Sequence, residues 1–441
     1  MKSTFLLAAC ALACALTPAY SQTPPAASGT APVMEHVAWS RNANIYEVNL
    51  RQYTKEGTIK AFAAHLPRLK KMGVDILWIM PVQPIGELNR KGTLGSYYAV
   101  RDYTAVNPEF GTMDDFKAMV DQAHGLGMKV ILDWVANHTS WDNRWVSEHN
   151  DWYKKNEKGE VFPVTFTEGA EPEYWTDVIA LDYTKPALWK GMTDAMAFWV
   201  KQTGIDGFRC DVAGLLPVPF WNHVRAELDK IKPVFMLAEW AEPALHERAF
   251  DMTYEWDLAE LFKKIAKGKA GTRELAAHLQ TPAKKFPAHA YRMTFTNNHD
   301  FNSWHGTDRE LYGPAYQAFA VLAATLPGMP LIYSGQESGL DKRLAFFEKD
   351  QIAWKDYPLE SFYSRLLKLK RENPAMANGQ YGAPAQIVET GNDKVFAFKR
   401  VQGSNTVKVA VNLSDSVQAY SFAGAKAKAL APWSWKIDAS K

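Results

Sequence analysis

From residue 44 onward, short apolar runs alternate with longer stretches in which apolar positions recur at helical spacing. The runs are Asn44 to Leu50, Ile76 to Val82, Lys129 to Val135, Gly207 to Ala213, Val234 to Trp240, Met252 to Asp257, Arg292 to Asn298 and Met329 to Gly335. Helix-like segments fall near residues 59–72, 113–126, 186–203, 217–231, 272–285, 311–326 and 361–373. Strands apolar along their whole length are buried on both faces, and their alternation with helices is the mark of a parallel sheet. Eight such units predict an α/β fold, a (β/α)8 TIM barrel, with a doubly wound open sheet as the alternative.

Two stretches break the rhythm. About fifty residues separate the third strand from the helix starting near Pro186, long enough for a functional lobe. They carry Trp141, Trp145, Trp152, Tyr153, Phe162, Phe166, Tyr174 and Trp175, too many aromatic residues for a disordered segment. This predicts a small inserted domain over residues 138–185, splitting the barrel into 37–137 and 186–375. Beyond residue 376 the period changes to two (AQIVET, KVFAFKRV, TVKVAVNLS, VQAYSF, WSWKI), with turn signals such as Gly391-Asn392-Asp393 between the runs. An antiparallel β-sandwich is expected over 376–441.

The N-terminus does not join this pattern. Lys2, the apolar run Phe5 to Leu16 and Ala19-Tyr20-Ser21 read as a secretory signal over residues 1–21, followed by a Pro, Ala and Ser rich leader over 22–36. A secreted or periplasmic protein is the expectation; the rival is a lipoprotein, since Leu7-Ala8-Ala9-Cys10 resembles a lipobox. Cys10 and Cys14 lie in this segment, leaving Cys210 without an intrachain partner. No later run reaches the length of a membrane span. Across 441 residues, 47% hydrophobic content excludes a disordered chain, and a net charge of +2 offers no footprint for nucleic acid. The 16 Trp are the one unusual count, and indoles left outside the core would suit flat sugar faces.

Candidate chemistry follows from the fold, because a (β/α)8 barrel builds its site at the C-terminal ends of its strands. Strand three ends in Asp133 to His138, strand four in Arg209-Cys210-Asp211, strand five at Glu239 and strand seven in Asn298-His299-Asp300. Taken singly, Asp211 could cap a helix, Glu239 could pair with a loop cation, and His138 or His299 could be core histidines. Together they converge on one mouth. Arg209 and Asp211, two apart on a strand, point the same way, so the guanidinium can hold the carboxylate ionised. Adjacent strands lie ~4.8 Å apart, matching the ~5 Å between the nucleophile and the acid/base of a retaining glycosidase. Asp211 and Glu239 fit that pair.

These residues resemble the α-amylase superfamily, glycoside hydrolase family 13, from about residue 40 to the C-terminus. All four short motifs of the family are matched: Asp133 to His138, Gly207 to Ala213, Ala238-Glu239-Trp240 and Asn298-His299-Asp300. Further similarity appears in GVDILWIMP from Gly73, in YAVRDYTAVNPEFGT from Tyr98 and in Gly335-Gln336-Glu337. The resemblance implies Asp211 as nucleophile, Glu239 as general acid/base and Asp300 as the carboxylate that grips sugar hydroxyls. It implies Tyr98, His138, Arg209 and His299 as contacts of the sugar being cleaved, with Tyr98 as a stacking platform. The expected partner is an α-glucan or maltooligosaccharide, handled by a monomer.

The chain also departs from the family. Many members hold a structural calcium through the Asn matching Asn137, an Asp before the third helix and a carbonyl of a Lys-His pair after the nucleophile. Here Ala180 stands at that Asp, and Val212-Ala213-Gly214-Leu215 contains no Lys-His pair. A hard cation wants six to eight oxygens, so no metal is expected and no cofactor is required, with Asp177 or Asp182 the residues that could compensate. Val212 is common in relatives that cleave α-1,6 bonds, whereas the long loop favours an α-1,4 enzyme. The expectation is an α-1,4-glucan hydrolase. The alternatives are an α-glucosidase or oligo-1,6-glucosidase, a transglycosylase, or a non-catalytic carbohydrate-binding protein.

Overall fold

The computed structural model describes residues 34–167, 172–280 and 285–440; the expected signal and all but the end of the leader lie outside them. Each of the eight apolar runs forms a strand. The first three are β1 (Ile45–Val48), β2 (Ile76–Ile79) and β3 (Lys129–Trp134). Between β3 and the next barrel strand come β4 (His138–Ser140), β5 (Pro163–Phe166) and β6 (Glu173–Ala180), a three-stranded antiparallel sheet in the order β4-β6-β5. The remaining barrel strands are β7 (Gly207–Cys210), β8 (Phe235–Ala238), β9 (Met252–Tyr254), β10 (Tyr291–Thr294) and β11 (Met329–Tyr333). They close in the order β1-β11-β10-β9-β8-β7-β3-β2, with parallel pairing throughout.

Helices pack outside the strands where apolar positions recur at 3.6 spacing. Pro186–Thr203 opens with Pro at its first turn and stops at Gly204 in the left-handed region, the usual order of start and stop signals. Its buried stripe includes Leu188, Met192, Met196 and Trp199, and the Trp199 indole donates to the Tyr103 carbonyl at 2.6 Å. The helix Trp256–Ala266 has no counterpart among the expected segments. The run Met252 to Asp257 was expected as one strand, but pairing ends at Tyr254 and the chain turns helical two residues later.

Gly207 opens β7 at φ +154, and a β-carbon there would stand 1.8 Å from the Phe235 carbonyl oxygen. The strand carrying Arg209 can therefore lie against β8 only with glycine at its start. Gly207→Ala should cost about 3 kcal/mol, read as a lowered denaturation midpoint; an unchanged midpoint would refute the close approach.

The C-terminal segment forms β12 (Gln386–Ile387), β13 (Val395–Gln402), β14 (Asn405–Asn412), β15 (Gln418–Tyr420), β16 (Lys428–Leu430) and β17 (Trp435–Ser440). Strands β12, β13, β14 and β17 make a four-stranded antiparallel sheet, and β15 pairs with β16. Period two sorts the two faces. Phe396, Phe398, Val407, Val409 and Val411 join the barrel's core, while Val395, Ala397 and Ala410 pack with Tyr420 and Leu430 of the hairpin. Two buried basic side chains clamp this junction. Lys370 donates to the carbonyls of Gly328 and Met376 and to Asn378 Oδ1, and Arg400 to the carbonyls of Ala383, Thr325, Leu326 and Ala377.

Candidate active site

Arg209 lies on β7 with its side chain wholly buried, a position tolerable only if the charge is matched. Nη1 donates to Asp133 Oδ1 and to Asp211 Oδ1, both at 2.9 Å, and Nε donates to the Tyr254 hydroxyl at 3.2 Å. Strand register dictates the first contact, because Asp133 sits directly across from Arg209 in the β3–β7 pair. The remaining nitrogen, Nη2, lies 2.9 Å from Glu239 Oε1, yet its hydrogens are misaligned and it has no hydrogen-bond partner. The Trp78 and Tyr98 rings approach the guanidinium at 5.0 and 5.7 Å. One cation thus holds three carboxyl groups, making hydrogen bonds to two.

Glu239 follows β8, and its second oxygen accepts the backbone N–H of Val212 at 2.8 Å. That N–H is aimed by unusual backbone: Val212 has φ 37 and ψ 44, a left-handed conformation that costs a β-branched residue strain. Strain of this kind, next to a candidate nucleophile, persists only where the surroundings enforce it. Burial raises the Glu239 carboxyl above its ordinary range, against the pull of Arg209 and with the help of Asp300. Burial and Glu239 push Asp211 upward too, with Arg209 opposing.

A second network crosses the mouth. The Tyr98 hydroxyl donates to Asp133 Oδ2 at 3.1 Å and meets His299 Nε2 at 2.8 Å; the same imidazole nitrogen lies 3.3 Å from Asp300 Oδ2. His299 Nδ1 is 2.5 Å from Glu47 Oε1, and Glu47 is fully buried on β1 with its other oxygen unpartnered. Burial disfavours the imidazolium, but the Asp300 and Glu47 carboxylates outweigh it and raise His299 to about 9. His138 is the opposite case: burial lowers it to about 3, so it stays neutral. Its Nδ1 lies 3.2 Å from the Asn137 amide nitrogen, and the Trp175 ring meets its edge at 5.7 Å.

The sequence-derived candidates Asp211, Glu239, Asp300, Tyr98, Arg209 and His299 therefore form one connected set of contacts, with His138 beside it. Asp300 is the most open of the three carboxylates, its side chain 33% exposed against 10% for Asp211 and 13% for Glu239. Glu47, Trp78 and Tyr254 were not among the candidates. The one available signal for Glu47 was a charge inside the apolar run Asn44 to Leu50, on an inward-facing barrel strand. The aromatic lobe also divides. Trp145, Trp152 and Tyr153 are buried in the core, whereas Trp175 reaches His138.

The residues do not fit the calcium held by many relatives. Among the described residues, no group of three or more His, Cys, Asp or Glu side chains could hold a metal ion. Asp177 pairs with Lys91 at 3.1 Å, and Asp182 accepts from the Thr184 hydroxyl at 2.7 Å. Gly214, in the segment that lacks the Lys-His pair, lies beneath the Trp240 indole, which a β-carbon would meet at 2.2 Å.

Barrel and site define a glucan-active class of enzyme, and comparison with known proteins gives the family. The catalytic domain of α-amylase matches residues 36–361, and the chain belongs to the α-amylase family. It is similar to the crystal structure of an α-amylase from Lactobacillus plantarum, with 32% identity, TM-score 0.76 and coverage of 87% of this chain and 91% of that one. A maltogenic α-amylase, AmyB from Thermotoga neapolitana, shares 30% identity at TM-score 0.78, covering 86% and 87%. An α-1,4-glucan:maltose-1-phosphate maltosyltransferase of Rhodospirillum rubrum is 28% identical over 83% of this chain and 56% of its own length. The chain spans about half the length of several curated relatives that it matches. No helix among the described residues is long and apolar enough to cross a membrane.

Proposed function

We propose that the chain hydrolyses α-1,4-glucosidic bonds of starch-derived glucans or maltodextrins with retention, through a covalent glycosyl-enzyme intermediate on Asp211. The observation that carries this reading is a single guanidinium contacting Asp211 and Glu239 through neighbouring nitrogens, each at 2.9 Å. Two carboxyl groups gathered on one guanidinium suit the nucleophile and acid/base pair of a retaining enzyme. Burial raises both carboxyl groups of the pair. Arg209 makes an aligned hydrogen bond to Asp211 and only a misaligned contact with Glu239, which favours Asp211 as the carboxylate and Glu239 as the acid. Glu239 then protonates the leaving oxygen, and as carboxylate activates the water that releases the sugar. His299 and Asp300 hold sugar hydroxyls.

The test is a product profile on maltoheptaose, pullulan, isomaltose and cyclodextrin, with the anomer of the first product read by NMR. Expected are shorter maltooligosaccharides from maltoheptaose, released first as the α-anomer. Release of the β-anomer, or cleavage of isomaltose alone, would refute the reading. A second reading, transfer of the glycosyl group to another sugar, is favoured by the name of the Rhodospirillum rubrum relative, a maltosyltransferase. It predicts products longer than maltoheptaose.

A further inference from the structure

Trp304 is 53% exposed, the one exposed tryptophan among the described residues. It stands four residues beyond Asp300, within a π-helical turn, Phe301–His305, of a kind frequent at functional sites. The turn is tied to the loop after β11: Asn302 donates to the Lys342 carbonyl and accepts from Leu344 N–H, and the Ser303 hydroxyl donates to the Leu344 carbonyl. The same loop supplies Phe346 and Phe347, whose rings lie 5.2 and 5.9 Å from the indole. Phe346 in turn lies 6.2 Å from Tyr98, within 15° of parallel, and 6.4 Å from His299. A continuous run of rings therefore leads from the floor of the site to solvent at Trp304. The indole nitrogen finds no acceptor among the described residues, so folding alone gives no account of why this large apolar face is held open.

We propose that Trp304, backed by Phe346 and Phe347, is a stacking platform for a glucose ring of the α-glucan chain beyond the sugar held by Tyr98 and His299, on the Asp300 flank of the cleft. This rests on the glucan-hydrolase reading above. The apolar face of a pyranose covers a flat indole, and because rings and turn are pre-fixed, little side-chain entropy is lost on binding. The platform rewards substrates long enough to reach it and sets a preference for chain length.

The test is kcat/KM along maltotriose, maltotetraose, maltopentaose and maltoheptaose for the wild-type protein, Trp304→Ala and Trp304→Phe. Trp304→Ala should lose about tenfold on maltoheptaose, mainly through KM, and progressively less as the chain shortens. Trp304→Phe should recover most of the loss. An equal loss at every length, or no loss on maltoheptaose, overturns the platform. Wild-type protein that turns over none of the series overturns the hydrolase reading instead. Titration of maltoheptaose into both proteins by calorimetry then decides the platform separately: weaker binding by Trp304→Ala supports it, and equal binding overturns it.

Discussion

Asp211→Asn is expected to lower kcat/KM on maltoheptaose at least about 10⁴-fold, and Glu239→Gln about 10²- to 10⁴-fold. The two losses have different origins. Without the Asp211 carboxylate no glycosyl ester can form, whatever the leaving group. Without Glu239 only the proton is missing, so an aryl glucoside whose phenol leaves unprotonated should lose far less with Glu239→Gln than with Asp211→Asn. The pH profile separates them as well. Burial raises Glu239, so it stays protonated above the ordinary carboxylate range and activity falls as pH rises through its shifted value. That alkaline limb of kcat/KM should disappear in Glu239→Gln. Near-wild-type turnover by Asp211→Asn, with folding confirmed by circular dichroism, would remove it as nucleophile. A limb that survives Glu239→Gln would remove Glu239 as the acid.

Much of this site was legible because the chemistry and the fold share one signal. A polar residue at the end of an apolar strand is conspicuous, and barrel closure carries Arg209, Asp211, Glu239, His299 and Asp300 to the same mouth. What escaped the sequence depends on long-range contacts. The helix from Trp256 was hidden because β9 is three residues long and one apolar run spans both elements. Strand β16 escaped because Lys428 and Ala429 are exposed and, among the described residues, it pairs only with β15. The lobe's aromatics looked alike as letters, yet Trp152 packs against Gly191, where a β-carbon would meet its ring at 2.5 Å, while Trp175 faces His138. Glu47 is the instructive omission: inside an apolar run one carboxylate gives no hint of its partner, which lies 252 residues away.

Glu47 is where the second large effect is expected. Its Oε1 lies against His299 Nδ1, while His299 Nε2 faces the Tyr98 hydroxyl and Asp300. With Glu47 ionised, both ring nitrogens of His299 carry hydrogen, and Nε2–H is directed into the site. Glu47→Gln keeps an acceptor oxygen and nearly the same volume but removes the charge. His299, held at about 9 by Asp300 and Glu47 against burial, must then fall. The sign follows directly: a histidine with a raised value carries its proton at low pH and loses it as pH rises, so lowering that value brings the loss into the working range. The ratio of wild-type to variant kcat/KM should be smallest near pH 5 and grow to about 10- to 100-fold by pH 8, the range for a hydrogen bond to a charged group. Taking the ratio cancels the limb due to Glu239, which both proteins share. Glu47→Asp, too short to reach Nδ1 from β1 but still charged, should restore part of the alkaline activity. A ratio constant across pH would show that Glu47 merely fills the barrel, and would remove the imidazolium from the account of the site.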